Sequence, residues 1–179
     1  MDKKTSSGIT RRGLLGAFAA TAVAATPTYS SAAGFLRGAG DIRRIAMHSG
    51  RTGERLNTIY WIDGEYIGEA VREINMHMRD LRTIDIMSAA LNLMDTTEPY
   101  LLLSGYRSPR TNQMLSGSNR GVARNSLHMQ GQAADLRLTS RSTSQMSQAA
   151  LACRAGGVGR YSRSNFVHMD CGPIRSWRG

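Results

Sequence analysis

Three side chains constrain this chain more than anything else in it. His128 and Asp135 lie in Ser126-Leu-His128-Met-Gln-Gly131-Gln-Ala133-Ala-Asp135, and His168 lies in Val167-His168-Met169-Asp170. Two imidazoles and a carboxylate are the donors a catalytic zinc site needs, because three protein ligands leave one position open for water. The spacing of His128 and Asp135 is too wide for one helical turn. A loop must therefore fold His128 back over the strand that carries Asp135, and Gly131 lets the backbone turn sharply between them. His168 is expected in a second strand beside the first. The same ligands accept other divalent metals.

The N-terminus reads as an export signal, not as part of a fold. Lys3, Lys4, Arg11 and Arg12 precede an apolar run from Leu14 to Ala25 that is too short to span a bilayer comfortably. Ser31-Ala32-Ala33 offers the small residues of a cleavage site, so residues 1–33 are taken as signal peptide. The adjacent arginines in Thr10-Arg11-Arg12-Gly13-Leu14-Leu15, with a core rich in Ala, match a twin-arginine signal and export to the periplasm. No cysteine stands near the cleavage site to carry a lipid anchor, and no later segment reaches transmembrane length.

Residues 34–41 form a Gly-rich linker, and residues 42–179 have the size of one domain with a sizeable core. The net charge is +10 at pH 7, and the signal holds four of the 23 Lys and Arg residues and one of the 13 acidic ones. The remainder is thus still basic, which suits anionic wall polymers or lipid surfaces. Nucleic acid is only a weak alternative and is not expected as partner, because the arginines are scattered without aromatic interleaving or a known motif.

Patterning then places the elements. Ile42 to His48 and Asn57 to Ile62 read as strands, with Asp63-Gly64 as a hairpin turn. Val71, Ile74, Met78 and Leu81 predict a helix over Glu69–Leu81, and Ile84, Met87, Leu91 and Met94 a second over Ile84–Met94. Tyr100–Leu103 is a short buried strand. Ser108–Leu115 is a helix with Pro109 in its first turn, followed by a Gly- and Ser-rich loop over Ser116–Asn125. Gln132–Leu138 is a strand, Ser142–Ala152 a helix capped by Ser142 or Thr143, and Gly157–Tyr161 a strand. Asn165–Asp170 is read as the last strand. The order implies an α+β domain: helices packed on a mainly antiparallel sheet that carries the zinc site.

Two other histidines and two cysteines need no metal. His48 is an ordinary strand residue, and His77, flanked by Glu73 and Asp80, belongs to a solvated charge cluster. Cys153 and Cys171 are open to two readings, a disulfide permitted outside the cytoplasm or two small buried hydrophobes.

The segment Ser126-x-His128-x-x-Gly131-x-Ala133-x-Asp135 resembles the metal-binding signature of the zinc D-alanyl-D-alanine peptidases, in the hedgehog-type peptidase superfamily. More closely, the chain is similar to the YcbK-like murein endopeptidases. That likeness rests on Ser104-Gly105-Tyr106-Arg107-Ser108, Gly157-Val158-Gly159-Arg160-Tyr161 and Asn165-Phe166-Val167-His168-Met169-Asp170 with Gly172-Pro173 after it. It spans about residues 40 to 179. The resemblance implies that His128, Asp135 and His168 bind zinc and that the substrate is the peptide part of peptidoglycan, cut at cross-links between stem peptides. It also implies two rivals: a D,D-carboxypeptidase, and a non-catalytic zinc-containing wall-binding domain.

Related dipeptidases carry a Glu three residues before the last histidine ligand, where this chain has Asn165. Strand alternation puts Phe166, His168 and Asp170 on one face. Asp170 is then a proton acceptor for the attacking water, a carboxylate that orients His168, or a surface carboxylate with neither role. In the family it resembles, the arginine at Arg107 lies near the metal, where a guanidinium stabilises an oxyanion or grips a substrate carboxylate. Tyr106 and Tyr161 are candidates to line the groove, and Ser126 to shape the loop around His128.

Overall fold

A computed structural model describes residues 36–118 and 122–179. The sequence-predicted signal peptide lies outside the described residues. Eight strands form one sheet in the order β3-β2-β1-β4-β5-β7-β6-β8. They are β1 (Ile42–Ser49), β2 (Arg55–Ile62), β3 (Glu65–Tyr66), β4 (Tyr100–Ser104), β5 (Ala133–Arg137), β6 (Gly157–Tyr161), β7 (Phe166–Asp170) and β8 (Arg175–Arg178). Only the β1–β4 and β6–β8 pairs are parallel. Four helices are described: α1 (Gly68–Asn75), α2 (Leu81–Leu93), α3 (Pro109–Ser118) and α4 (Thr143–Ala152), with a 3₁₀ turn at Leu127–Gln130. The domain is α+β, as its alternating pattern requires.

One face of the sheet carries the core. Ile45 and Met47 of β1, Tyr100 and Leu102 of β4, Leu136 of β5, Val158 of β6, and Val167 and Met169 of β7 meet Ile84, Met87 and Leu91 of α2. Strand alternation sends the intervening residues to the opposite face, and that face carries the site. Each large apolar side chain so buried contributes about 1.5–3 kcal/mol before the entropy of ordering the chain is counted. Residues 36–41, read as a linker, pack against α2: Ala39 is buried, and the Asn92 side chain donates to the Gly38 and Ala39 carbonyls at 3.0 and 3.3 Å.

Three boundaries differ from the sequence reading. The helix expected over Glu69–Leu81 stops at Asn75, and Leu81 instead opens α2. Asp80 causes the break: its carboxylate accepts the Arg82 N–H at 2.9 Å as the cap of α2, and Met78 is buried from the turn between the helices. The apolar spacing thus runs on through a bend. α3 continues to Ser118, into the segment read as loop. Finally, β7 is not the last strand, because β8 follows it. The cap of α4 is Ser142, in a reciprocal pair with Gln145.

Glu98 ties the entrance of β4 to the chain before α4. Its carboxylate accepts the Thr139 and Ser140 backbone N–H groups at 2.7 and 3.0 Å, together with both hydroxyls. Slight burial pushes the Glu98 carboxyl up, but the hydrogen bonds from Ser140 and Thr139 outweigh it and hold the group at about 2 rather than 4.5. Because its pKa is lowered on folding, this stabilisation is complete above pH 4.5 and is lost as the pH falls toward 2. Discounted for solvent screening, it is about 1 kcal/mol. Urea melts of Glu98→Gln against the parent should differ by that amount at pH 6 and converge in acid.

Candidate metal centre

The sheet brings the three singled-out residues to one point. β5 and β7 pair antiparallel with Asp135 directly opposite His168. The 3₁₀ turn before β5 supplies His128, and Ser126 caps it by accepting the His128 N–H at 3.4 Å. Ser126 therefore shapes the loop. Gly131 ends the turn at φ 70°, and a Cβ there would sit 2.7 Å from Cβ of Arg79, so only glycine allows this return.

His128 Nε2 lies 3.3 Å from Asp135 Oδ1 and 3.3 Å from His168 Nδ1, and His168 Nδ1 lies 2.9 Å from Asp135 Oδ1. Ligand atoms around a tetrahedral zinc, with bonds of about 2.0–2.1 Å, stand about 3.3 Å apart. The donor set and its spacing thus fit that ion. Each imidazole is also held in the required tautomer. His128 Nδ1–H donates to the Gly105 carbonyl at 2.8 Å, which turns the Nε2 lone pair inward. His168 Nε2–H donates to Asp170 at 2.9 Å, which does the same for Nδ1. Two lone pairs and a carboxylate oxygen therefore converge, an arrangement that a cation satisfies.

Asp135 is held as a carboxylate. Burial pushes its carboxyl up, but the hydrogen bonds and charge that His128 and His168 supply when their inward nitrogens carry protons in place of a cation outweigh it and hold the group well below the usual range. Burial pushes His168 down, yet Asp135 and Asp170 beside it raise it overall. Arg107 approaches the other oxygen of Asp135, with Nη2 3.6 Å from Oδ2. Its guanidinium is fixed by Asn112 Oδ1 at 3.2 Å and Ser104 Oγ at 3.1 Å, and its backbone N–H donates to the His128 carbonyl at 2.9 Å.

A cavity of about 570 Å³ opens over this cluster, lined among others by Arg107, His128, Asp135, Tyr161, His168 and Trp177. Tyr161 thus faces the site, whereas Tyr106 lies under Arg79 (guanidinium 4.3 Å from the ring) and lines a neighbouring cavity. Among the described residues, Asp135 is the only one lining this cavity with a carboxylate side chain. Asn165 sits in the β6–β7 turn at φ 51°, and its carbonyl accepts Arg137 Nε–H at 2.6 Å. Asp170 is fully buried behind His168 and does not line the cavity.

Sequence reasoning missed Arg175 and Trp177, both from β8. Cys153 and Cys171 are free thiols, Cys153 buried with its Sγ 3.4 Å from the Ala149 carbonyl.

The fold and the converging donors define a class, and comparison with known proteins names the family. The model of the family described as "Peptidoglycan L,D-endopeptidase MepK" matches residues 37–177, and the chain belongs to that family, a group of YcbK-like murein endopeptidases. Among its relatives, the peptidoglycan L,D-endopeptidase MepK of Escherichia coli K12 is 40% identical over 145 residues, covering 75% of this chain and 80% of the relative. The probable peptidoglycan L,D-endopeptidase MepK of Haemophilus influenzae is 32% identical over 148 residues, covering 76% and 80%.

Proposed function

We propose that this protein is an exported, zinc-dependent peptidoglycan hydrolase, an L,D-endopeptidase that opens peptide cross-links between stem peptides. The observation that carries the reading is the convergence of His128 Nε2, Asp135 Oδ1 and His168 Nδ1, each within 3.3 Å of the others. The relatives' names supply the substrate class and the bond. Export follows from a substrate that lies outside the cytoplasm, and Arg11-Arg12 support the twin-arginine route. Among the described residues no helix is long and apolar enough to cross a membrane.

His128, Asp135 and His168 would hold the ion. When bound, zinc supplies a Lewis acid that polarises the scissile carbonyl and acidifies water. Arg107 presents a fixed guanidinium at the edge of the ligand cluster, where it stabilises the oxyanion that develops on the substrate carbonyl. Asp170 acts through His168. Its burial and its bond to Nε2 favour the orienting role over that of proton acceptor for water.

Arg107→Met should keep zinc affinity near the parental value while lowering kcat by about 10²–10³, as loss of one preorganised oxyanion donor does. Titration with a chromophoric chelator beside single-turnover kinetics reads both quantities.

The test of the function is digestion of purified cross-linked muropeptides, with and without chelator, read by mass spectrometry. Chelator-sensitive conversion of dimers to monomers supports the endopeptidase, and the fragment masses name the bond. Release of terminal D-alanine alone would instead identify a D,D-carboxypeptidase. A second reading, a non-catalytic zinc-containing wall-binding domain, is favoured by Asp135 being the only described cavity residue with a carboxylate side chain, so that no second one stands ready as proton acceptor. Zinc-loaded protein that binds peptidoglycan and cuts nothing would establish it.

A further inference from the structure

β8 lies at the sheet edge, is four residues long and carries two arginines. Its pairing with β6 is in register with the site: Gly157 stands opposite Arg175, and Gly159 opposite Trp177. Both glycines make room. A Cβ on Gly157 would lie 2.4 Å from Arg175 Nη1 and 2.6 Å from Asp170 Oδ2, and one on Gly159 would lie 2.5 Å from the Trp177 ring. The space they leave lets Arg175 reach across β6 to β7.

There it meets Asp170 with two prongs. Nη1 donates to Oδ1 at 3.0 Å and Nη2 to Oδ2 at 2.7 Å. Oδ1 also accepts the Gly157 and Gly172 N–H groups at 3.1 and 2.9 Å, and Oδ2 accepts His168 Nε2–H at 2.9 Å. Trp177 lies beside the His168 ring, with centroids 5.2 Å apart, and donates its indole N–H to Tyr161 at 2.9 Å. A fully buried carboxylate without its cation would be free to turn, and His168 would lose the acceptor that fixes its ring.

The geometry points to Arg175 as a positioning residue for the metal: by clamping Asp170 it fixes the ring and tautomer of His168, so the C-terminal strand is a working part of the metal centre. The inference rests on the zinc reading of the site. A point-charge lysine cannot reproduce the fork of an arginine, so the two residues are not interchangeable here.

The experiment measures zinc affinity of the full-length protein by competition with a chromophoric chelator, for the parent, Arg175→Met, Arg175→Lys and the exposed edge control Arg178→Met. Melting temperatures of the zinc-free forms are recorded beside it, and KM and kcat on cross-linked muropeptides after zinc saturation. The proposal expects zinc affinity to fall by about 10–100-fold in Arg175→Met, less in Arg175→Lys and not at all in Arg178→Met. With saturating zinc, KM should stay near the parental value. Unchanged zinc affinity in a folded Arg175→Met would overturn it. So would a raised KM with parental zinc affinity, which would make Arg175 a substrate contact. If Arg175→Met does not fold, parental zinc affinity in Arg175→Lys overturns it equally. A parent protein that binds no zinc would overturn the metal reading itself, and this inference with it.

Discussion

Asp135→Ala should abolish chelator-sensitive cleavage of cross-linked muropeptides and weaken zinc binding by more than about 100-fold. Asp135 supplies the only anionic donor of the converging three, so its removal leaves two imidazole nitrogens 3.3 Å apart. It also strips Arg107 of the carboxylate 3.6 Å away. Asp135→Asn separates charge from shape, because it keeps an oxygen at the same place without the negative charge. It should fail nearly as badly, since ligand charge and not bulk holds a divalent cation. Isothermal titration with zinc and mass-spectrometric digestion read the two effects. Hydrolysis by Asp135→Asn at the parental rate would overturn the ligand assignment.

The second large effect is on stability, away from the candidate metal centre. Asp85 of α2 is buried, and its Oδ1 accepts Arg43 Nη1 at 3.0 Å and the Tyr60 hydroxyl at 2.9 Å. Its Oδ2 accepts the Tyr66 hydroxyl at 2.7 Å. Burial first, and then the Asp85 charge, raises both phenols well above their ordinary value, so they remain hydrogen-bond donors. Arg43, 1% exposed, also lies over the Trp61 ring at 4.2 Å. Asp85→Ala removes the buried carboxylate that the Arg43 guanidinium and the Tyr60 and Tyr66 hydroxyls share. The expected loss is about 3–5 kcal/mol in urea unfolding. Pairing Arg43→Met with Asp85→Leu should recover only part of it, because Tyr60 and Tyr66 still lack their acceptor. A loss below about 1 kcal/mol for Asp85→Ala would mean that water relaxes into the site.

How far these features were readable from sequence depends on the kind of residue. The convergence of three donors was legible because His128, Asp135 and His168 are chemically conspicuous and Gly131 marks the turn between two of them. Arg107 was reached through its resemblance to a family segment. The Arg43–Asp85 pair was invisible: a charged residue in a strand and another in a helix read as solvent-facing, and only tertiary packing joins them. β8 was missed because Arg-Ser-Trp-Arg shows no apolar alternation. It is an edge strand whose inward residues serve the site and not the core. The helix boundary at Asn75 was misplaced because Met78 and Leu81 keep helical spacing across a bend, while the cap at Asp80 looks like any charged residue. The role of Asp170 stayed open because alternation gives a face, not a partner.

The opposition of Asp135 and His168 across one β5–β7 pair has a consequence for how the sheet assembles. Sliding β7 by one residue would turn every side chain to the other face, bringing Val167 or Met169 to the pole of the site and burying His168 among apolar neighbours. On the proposed reading, metal binds only the correctly threaded sheet. A hundredfold excess of zinc over its dissociation constant would then favour that threading by about 2.7 kcal/mol and leave the slipped forms untouched. The ion that serves the chemistry would also proofread the strand alignment, the more so because three of the strands around it are only five residues long.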